Sequence, residues 1–402
     1  GDKPDPQAVL EPGCMSRPTS AADSSSWQRR TRELSDRCFQ RTRNTAPLRH
    51  TLERGKMMTP RERWLAVLNR EEPDRIPMDW WATGEVNQKI MKHFGCGNMD
   101  EVFARLHIDV PVTVGPKYVG PPLQENTNVF GVRSRPVDYG TGVYHEAVSH
   151  PLAEYESVEG VEENYTWPQP DWWDYSGIAG QIEGKQHRPI RGGGSEPFLT
   201  YKQLRGEEQA FIDLIENPDI VHYCLDKMFH LCYVSTQRTY EQIPGQVMIT
   251  YVAEDLGGQE GLMYSPRQIR TFFLPRMKTM IDLAHEAGAF VFHHSDGAIR
   301  DILPDMIEVG IDVLNPIQWR CKGMEREGLK RDFGNSVIFH GGMDNQYTLP
   351  FGSVNEVKQE VEDNLRILGR DGGYILAPCH NIQAVSPVEN ILAMYETAYA
   401  AG

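Results

Sequence analysis

The sequence predicts an α/β fold, a (β/α)8 TIM barrel with an inserted β-hairpin or small meander. Short apolar segments alternate with longer helical patterns from Pro73 onward; strand and helix repeating in this way argue for a parallel sheet, and the number of units favours a closed eight-stranded barrel. Polar, chemistry-bearing side chains stand where those apolar segments end, which is where a barrel places its sites. A chain of 402 residues is long enough for one large α/β barrel or two ordinary domains.

The elements follow in order. Residues 1–56 are rich in Ser, Pro, Arg and Thr and show no sustained apolar period, so a disordered N-terminal extension is expected there, with the barrel over 57–402. The first helix starts at Thr59: this residue suits the N-cap, Pro60 the first helical position, and Glu62 stands three residues after the cap. Candidate strands lie at 76–81, 109–114, 246–252, 289–293, 313–317, 337–339 and 374–377. Helices are expected at 266–286, closed by Gly288, and at 299–309, closed by Gly310. Residues 118–155 break the rhythm, because alternating apolar residues flank Gly140-Thr141-Gly142; this is the expected inserted hairpin. Residues 162–175, crowded with Trp, Pro and Asp, read as an irregular excursion. Arg191-Gly192-Gly193-Gly194-Ser195 reads as a flexible loop near the substrate, because no nucleotide-binding glycine pattern follows it.

Composition narrows the function classes. Residues 1–56 hold 11 basic and 7 acidic residues, a net of +4, which leaves the remainder of a −15 chain at −19. Such an acidic body is a poor surface for neutralising phosphates, so nucleic acid is not an expected partner. No apolar run approaches the roughly 20 residues that span a bilayer, so no membrane association is expected. The seven cysteines, at 14, 38, 96, 224, 232, 321 and 379, are scattered without close pairs. That usage, with a polar N-terminus, fits a cytoplasmic protein.

At the strand ends stand Asp79, Glu254, Asp255, His294, Asp296, Asn315, Gln318, His340, Asp344 and Cys379. His294 and Asp296 are two apart, so both side chains leave an extended backbone on the same side. Imidazole, carboxylate and thiolate are all ligands that Zn2+ accepts, and three protein ligands leave a fourth position for substrate. Each residue alone has a plainer role: a hydrogen-bonded core histidine, a helix-capping aspartate, a small buried hydrophobe. The loop Glu254-Asp255-Leu256-Gly257-Gly258-Gln259-Glu260-Gly261 offers acidic groups and an amide on the same face, for substrate or for a metal shell.

A set of segments carries a resemblance: Glu196-Pro197-Phe198-Leu199 with Leu204-Arg205-Gly206, the 254–261 loop, His294-Ser295-Asp296-Gly297, and Ile311-Asp312-Val313-Leu314-Asn315-Pro316-Ile317-Gln318. Together they resemble the uroporphyrinogen decarboxylase superfamily, from about Thr59 to the C-terminus, and the resemblance implies a (β/α) barrel. One branch decarboxylates without metal or cofactor and grips substrate carboxylates with an Arg-Gln-Ala-Gly-Arg type segment. Here that place reads Pro77-Met78-Asp79-Trp80-Trp81-Ala82-Thr83-Gly84, without the arginines an octa-anionic tetrapyrrole needs. The other branch, the cobalamin-dependent methyltransferases, looks similar at a His-x-Cys pair and a late cysteine that hold zinc. This chain matches at His294 and Cys379, while Asp296 replaces the middle cysteine, a harder ligand that leaves zinc more Lewis acidic.

The resemblance thus implies a corrinoid-dependent methyltransferase that moves a methyl group between a small substrate (methoxylated compound, thiol or folate) and a separate corrinoid protein. Zinc is expected on His294, Asp296 and Cys379. Catalytic roles fall to Asp79, Asp255 and His340, and substrate contacts to Trp80, Trp81, Glu254, Gln259, Asn315 and Gln318. Methylcobalamin is expected on the partner protein, because Asp282-Leu283-Ala284-His285-Glu286-Ala287-Gly288 has the wrong spacing for a corrinoid-binding motif. A metal-free decarboxylase and a non-catalytic small-molecule-binding barrel are the alternatives.

Overall fold

In the computed structural model, which describes residues 57–402 apart from Tyr139 and Thr141, the helix Pro60–Leu68 begins in the capping box its sequence encodes. The Thr59 hydroxyl accepts the Glu62 amide while the Glu62 carboxylate accepts the Thr59 amide. The expected extension, 1–56, lies outside the described residues, as does Thr141 in the glycine-flanked turn.

The strands of the described residues are β1 (Val112–Val114), β2 (Lys117–Tyr118), β3 (Ser134–Asp138), β4 (Val143–Ala147), β5 (Trp173–Asp174), β6 (Ile190–Ser195), β7 (Ile249–Ala253), β8 (Phe290–His294), β9 (Val313–Asn315), β10 (Ile338–Met343) and β11 (Tyr374–Pro378). Seven of them form one parallel sheet in the order β1-β6-β7-β8-β9-β10-β11, a TIM-barrel-like arrangement with intervening helices. β3 pairs antiparallel with β4, and β2 with β5.

Segment 76–81, expected as a regular strand, joins the sheet only through isolated bridges, Met78 to Leu376 and Ala82 to Ile382. Pro77 has no amide to give, and the Met78 amide goes to the Asp109 carboxylate at 3.0 Å instead of to a ladder. On its other side the Asp109 amide donates to the Met78 carbonyl at 2.7 Å. The segment therefore stands between β11 and the residues that lead into β1. Arg63 and Arg75 both pair with the buried Asp109 and tie the first helix to this seam.

β6 contradicts its own sequence reading. Arg191–Ser195 was expected to be a loop, yet it lies in the sheet with β1 and β7 on either side. The glycines are there for close approach: Gly194 has φ +126°, and a Cβ on it would overlap the Tyr251 carbonyl oxygen. The register also shifts between Arg191 and Gly194. Gly194→Ala is expected to destabilise the protein by about 3 kcal/mol through strain and overlap, read as a lower denaturant midpoint; an unchanged midpoint would contradict this account of β6.

The helix read as 266–286 is interrupted by a π-turn at Ile269–Phe273 just before Pro275, which lacks the amide that would continue the α ladder. Gly288 (φ +78°) and Gly310 (φ +107°) follow the last turns of their helices in the left-handed conformation. Trp64, Val67 and Leu68 of the first helix pack on Ile249, Val313 and Ile338, each the first residue of its strand. That apolar plug fills the amino ends of the strands and leaves the carboxyl ends for polar side chains. No helix of the described residues is long and apolar enough to cross a membrane.

Candidate metal and substrate site

The carboxyl ends of three neighbouring strands bring the polar residues together. His294 closes β8 and Asn315 closes β9, while Asp255 and Asp296 stand two residues past the ends of β7 and β8. Asp255, His294 and Asp296 offer ligand atoms that all lie within 4.8 Å of one another. His294 is buried, with its Nε2 3.7 Å from Asp255 Oδ1.

A chain of hydrogen bonds determines which nitrogen of His294 is free. Asp79 Oδ2 accepts from Trp81 Nε1 at 2.9 Å and faces His340 Nε2 at 3.0 Å, while Oδ1 accepts the Trp80 amide. His340 is fully buried, and burial lowers its pKa, so its ring is neutral with one proton. The carboxylate acceptor draws that proton to Nε2. His340 Nδ1 then accepts from the Asn315 amide nitrogen at 2.7 Å, which turns the Asn315 oxygen towards His294 Nδ1 at 2.6 Å. His294 Nδ1 therefore donates to Asn315, and Nε2 is the ring nitrogen that faces Asp255. His294 Nε2 and the carboxylates of Asp255 and Asp296 are the atoms a cation would take there.

The two carboxylates are held just as firmly. Asp255 Oδ1 accepts the Asp296 amide at 3.1 Å, and Gln318 donates to Asp296 Oδ1 at 2.9 Å while accepting the Gly297 amide at 2.7 Å. Their loops cross at two glycines. A Cβ on Gly297 (φ +85°) would overlap the Gly257 backbone, and one on Gly257 would stand 2.8 Å from the Asp296 carbonyl oxygen. Among the described residues no lysine or arginine pairs with either carboxylate; the groups that could are histidines, His294 with Nε2 3.7 Å from Asp255 Oδ1 and His380 with Nε2 3.9 Å from Asp296 Oδ2.

The electrostatics are correspondingly strained. Burial raises the pKa of Asp296. Burial, helped by the charge of Asp255, pushes Glu196 up to about 7. Burial also holds Glu254 well above the usual carboxylate range. One imidazole nitrogen and two carboxylates, with an excess of negative charge around them, fit a divalent cation of the zinc type.

Other expected site residues are placed differently. Cys379 stands outside the group that gathers Asp255, His294 and Asp296: its buried thiol donates to the Ile317 carbonyl at 3.1 Å, and burial pushes its pKa well up. Glu254 accepts the Phe198 amide. Gln259 is tied into its loop by the Cys321 thiol and the Lys322 amide. Asp344 pairs with Arg320 and accepts the Thr348 amide. Asn315, Gln318, Asp79 and His340 act on the ligands.

Trp80 and Trp81 line a cavity of about 590 Å3 together with Thr113, Arg191, Tyr251 and Asn381. The Trp81 and Tyr251 rings each stack with the His294 ring at 5.8 Å, tilted by 25° and 27°, so the cavity abuts the candidate metal site. Glu196, Arg191 and Tyr251 were missed as site residues, and all three sit on or beside the strand that its glycines disguised. The one available signal was Glu196 directly after that run.

The position of Glu196 predicts a pH dependence. A carboxyl raised from 4.5 to about 7 favours the folded state fully below pH 4.5, and that contribution is lost as pH rises through 7. In chelator-treated protein, Glu196→Gln is expected to flatten the melting temperature between those pH values; an unchanged slope would contradict the assignment.

A family model described as uroporphyrinogen decarboxylase (URO-D) matches residues 182–401. The uroporphyrinogen decarboxylases of Crocosphaera subtropica and Carboxydothermus hydrogenoformans are each 24% identical, over 226 and 210 residues. These matches cover 54% and 52% of this chain and 59% and 53% of the relatives. The chain thus spans little more than half the length of the curated relatives it matches. A solved structure, a methyltransferase from Methanosarcina mazei, is similar in fold, with a TM-score of 0.60 and 18% identity, covering 86% of this chain and 99% of that one.

Proposed function

The chain belongs to the uroporphyrinogen decarboxylase (URO-D) family, and from that premise we propose that it is a corrinoid-dependent methyltransferase, moving a methyl group between a small substrate and a separate corrinoid protein. The observation that carries the proposal is the Nε2 of His294, turned by the Asp79–His340–Asn315 chain towards Asp255 and beside Asp296. These three residues would hold zinc, which when bound polarises the oxygen of a methyl donor.

The remaining work belongs to the protein. Asp255, His294 and Asp296 hold the site, and Asp79, Asn315 and His340 are positioning residues that fix the imidazole. Trp81 and Tyr251 wall the cavity beside it and exclude water from the donor. A reduced corrinoid on the partner would supply the electron pair that takes the methyl carbon; this chain's residues would hold the donor as its methyl–oxygen bond breaks and give a proton to the oxygen left behind. Glu196, pushed up to about 7 by burial and the charge of Asp255, would supply that proton. Against tetrapyrrole decarboxylation stands the cationic poverty of the cavity: its one arginine is Arg191, and 77–84 holds none.

The test is methyl exchange with free cobalamin, before and after chelation. Activity that falls on metal removal and returns with zinc is expected. Carbon dioxide release from uroporphyrinogen that chelation does not alter, without methyl exchange, would overturn the proposal.

A further inference from the structure

Building on the methyl-transfer proposal, we infer that the small substrate is an aromatic carboxylate bearing a methoxy group, its carboxylate held by Arg191 and its ring set against Trp81 and Tyr251. Arg191 is the second residue of β6, in register with Thr113 of β1, and both line the cavity. Its Nε and Nη2 donate to the single oxygen Thr113 Oγ1 at 3.0 and 2.9 Å. A hydroxyl that takes two of five N–H groups orients the guanidinium without neutralising it. Among the described residues no carboxylate lies within ion-pairing distance of it, whereas Arg63, Arg75, Arg205 and Arg276 each have one. An oriented, half-buried, unneutralised guanidinium in a cavity is matched by a carboxylate, whose planar pair of oxygens fits its fork.

Beyond the Trp81 and Tyr251 rings, next to His294, the character is the opposite. Glu196, Asp255 and Asp296 repel an anion, so the charged end of a ligand goes to Arg191 and its neutral ether end to the candidate metal site. Tyr251 lies under both influences: burial and the charges of Glu196 and Asp255 raise its pKa, and Arg191 opposes them. Between the two ends the walls are flat and apolar. The Trp81 and Tyr251 planes lie within 25° and 27° of the His294 ring, so they are stacked surfaces against which an aromatic ring packs. The volume, about 590 Å3, is that of a small-molecule site.

The experiment titrates the full chain with 3-methoxybenzoate, benzoate, methoxybenzene and methoxyacetate, followed by tryptophan fluorescence and calorimetry. Both benzoates are expected to bind, with methoxybenzene and methoxyacetate at least about tenfold weaker. Arg191→Gln is expected to weaken both benzoates about tenfold or more and leave methoxybenzene unchanged; Thr113→Val, which only releases the guanidinium, weakens the same two ligands to a smaller degree. Methoxybenzene or methoxyacetate binding as tightly as methoxybenzoate would overturn the inference, as would an Arg191→Gln protein, folded by circular dichroism, with undiminished affinity for the benzoates. Binding is read without corrinoid, so the two proposals fail separately. Tight, Arg191-dependent benzoate binding without methyl transfer would refute the enzymatic proposal alone. Methyl transfer from an uncharged ether, indifferent to Arg191→Gln, would refute only the substrate class.

Discussion

Replacing His294 with alanine is expected to abolish metal retention and to slow methyl transfer about a thousandfold or more. The size follows from the geometry. His294 contributes the one nitrogen of the group with Asp255 and Asp296, and its Nε2 is the atom the Asp79–His340–Asn315 chain has turned towards them. Without it two carboxylates remain near the raised Glu196, with no neutral donor to complete a shell. The alanine also leaves a gap between the Trp81 and Tyr251 rings, so His294→Gln, which fills more of it, separates loss of the ligand from loss of packing. Both variants should lack metal by elemental analysis. Stoichiometric zinc with normal turnover in either would show that His294 is only a buried, hydrogen-bonded core residue.

Asn315→Leu is expected to weaken metal binding by about 10- to 100-fold, the usual consequence of losing the group that orients a ligating histidine. It should also cost about 1–3 kcal/mol of stability for each buried nitrogen left unpaired, one on His294 and one on His340. Asn315→Asp discriminates between positioning and simple packing. It keeps an acceptor for His294 Nδ1 and offers His340 no N–H, so metal affinity should recover in part while stability does not. Parallel recovery of both quantities would assign Asn315 a structural role only.

How much of this could be read from residues alone depends on what each strand shows. β7 to β11 are largely apolar runs, so their positions and the strand-end places of Asp255, His294 and Asn315 were legible; His340, expected just past a strand at 337–339, stands inside β10, which continues through Gly341 and Gly342 to Met343. β6 was not, because Gly192, Gly193 and Gly194 look like a loop until the neighbouring Tyr251 backbone shows why a Cβ is excluded. The segment from Pro77 lost its ladder to a distant carboxylate, Asp109, which no local pattern encodes. The pairing of His294 with Asp296 was legible from a spacing of two. Asp255 joins them through the crossing of two loops at Gly257 and Gly297, a contact between chain segments about forty residues apart. Cys379 showed the same strand-end signature as the others, yet its thiol turns to the Ile317 carbonyl.

X-ray absorption at the zinc edge of the reconstituted protein tests the ligand set most directly. The expected spectrum shows only nitrogen and oxygen neighbours, at about 2.0–2.2 Å, from His294, Asp255 and Asp296. A sulfur neighbour at about 2.3 Å would bring Cys379 into the shell and contradict the assignment.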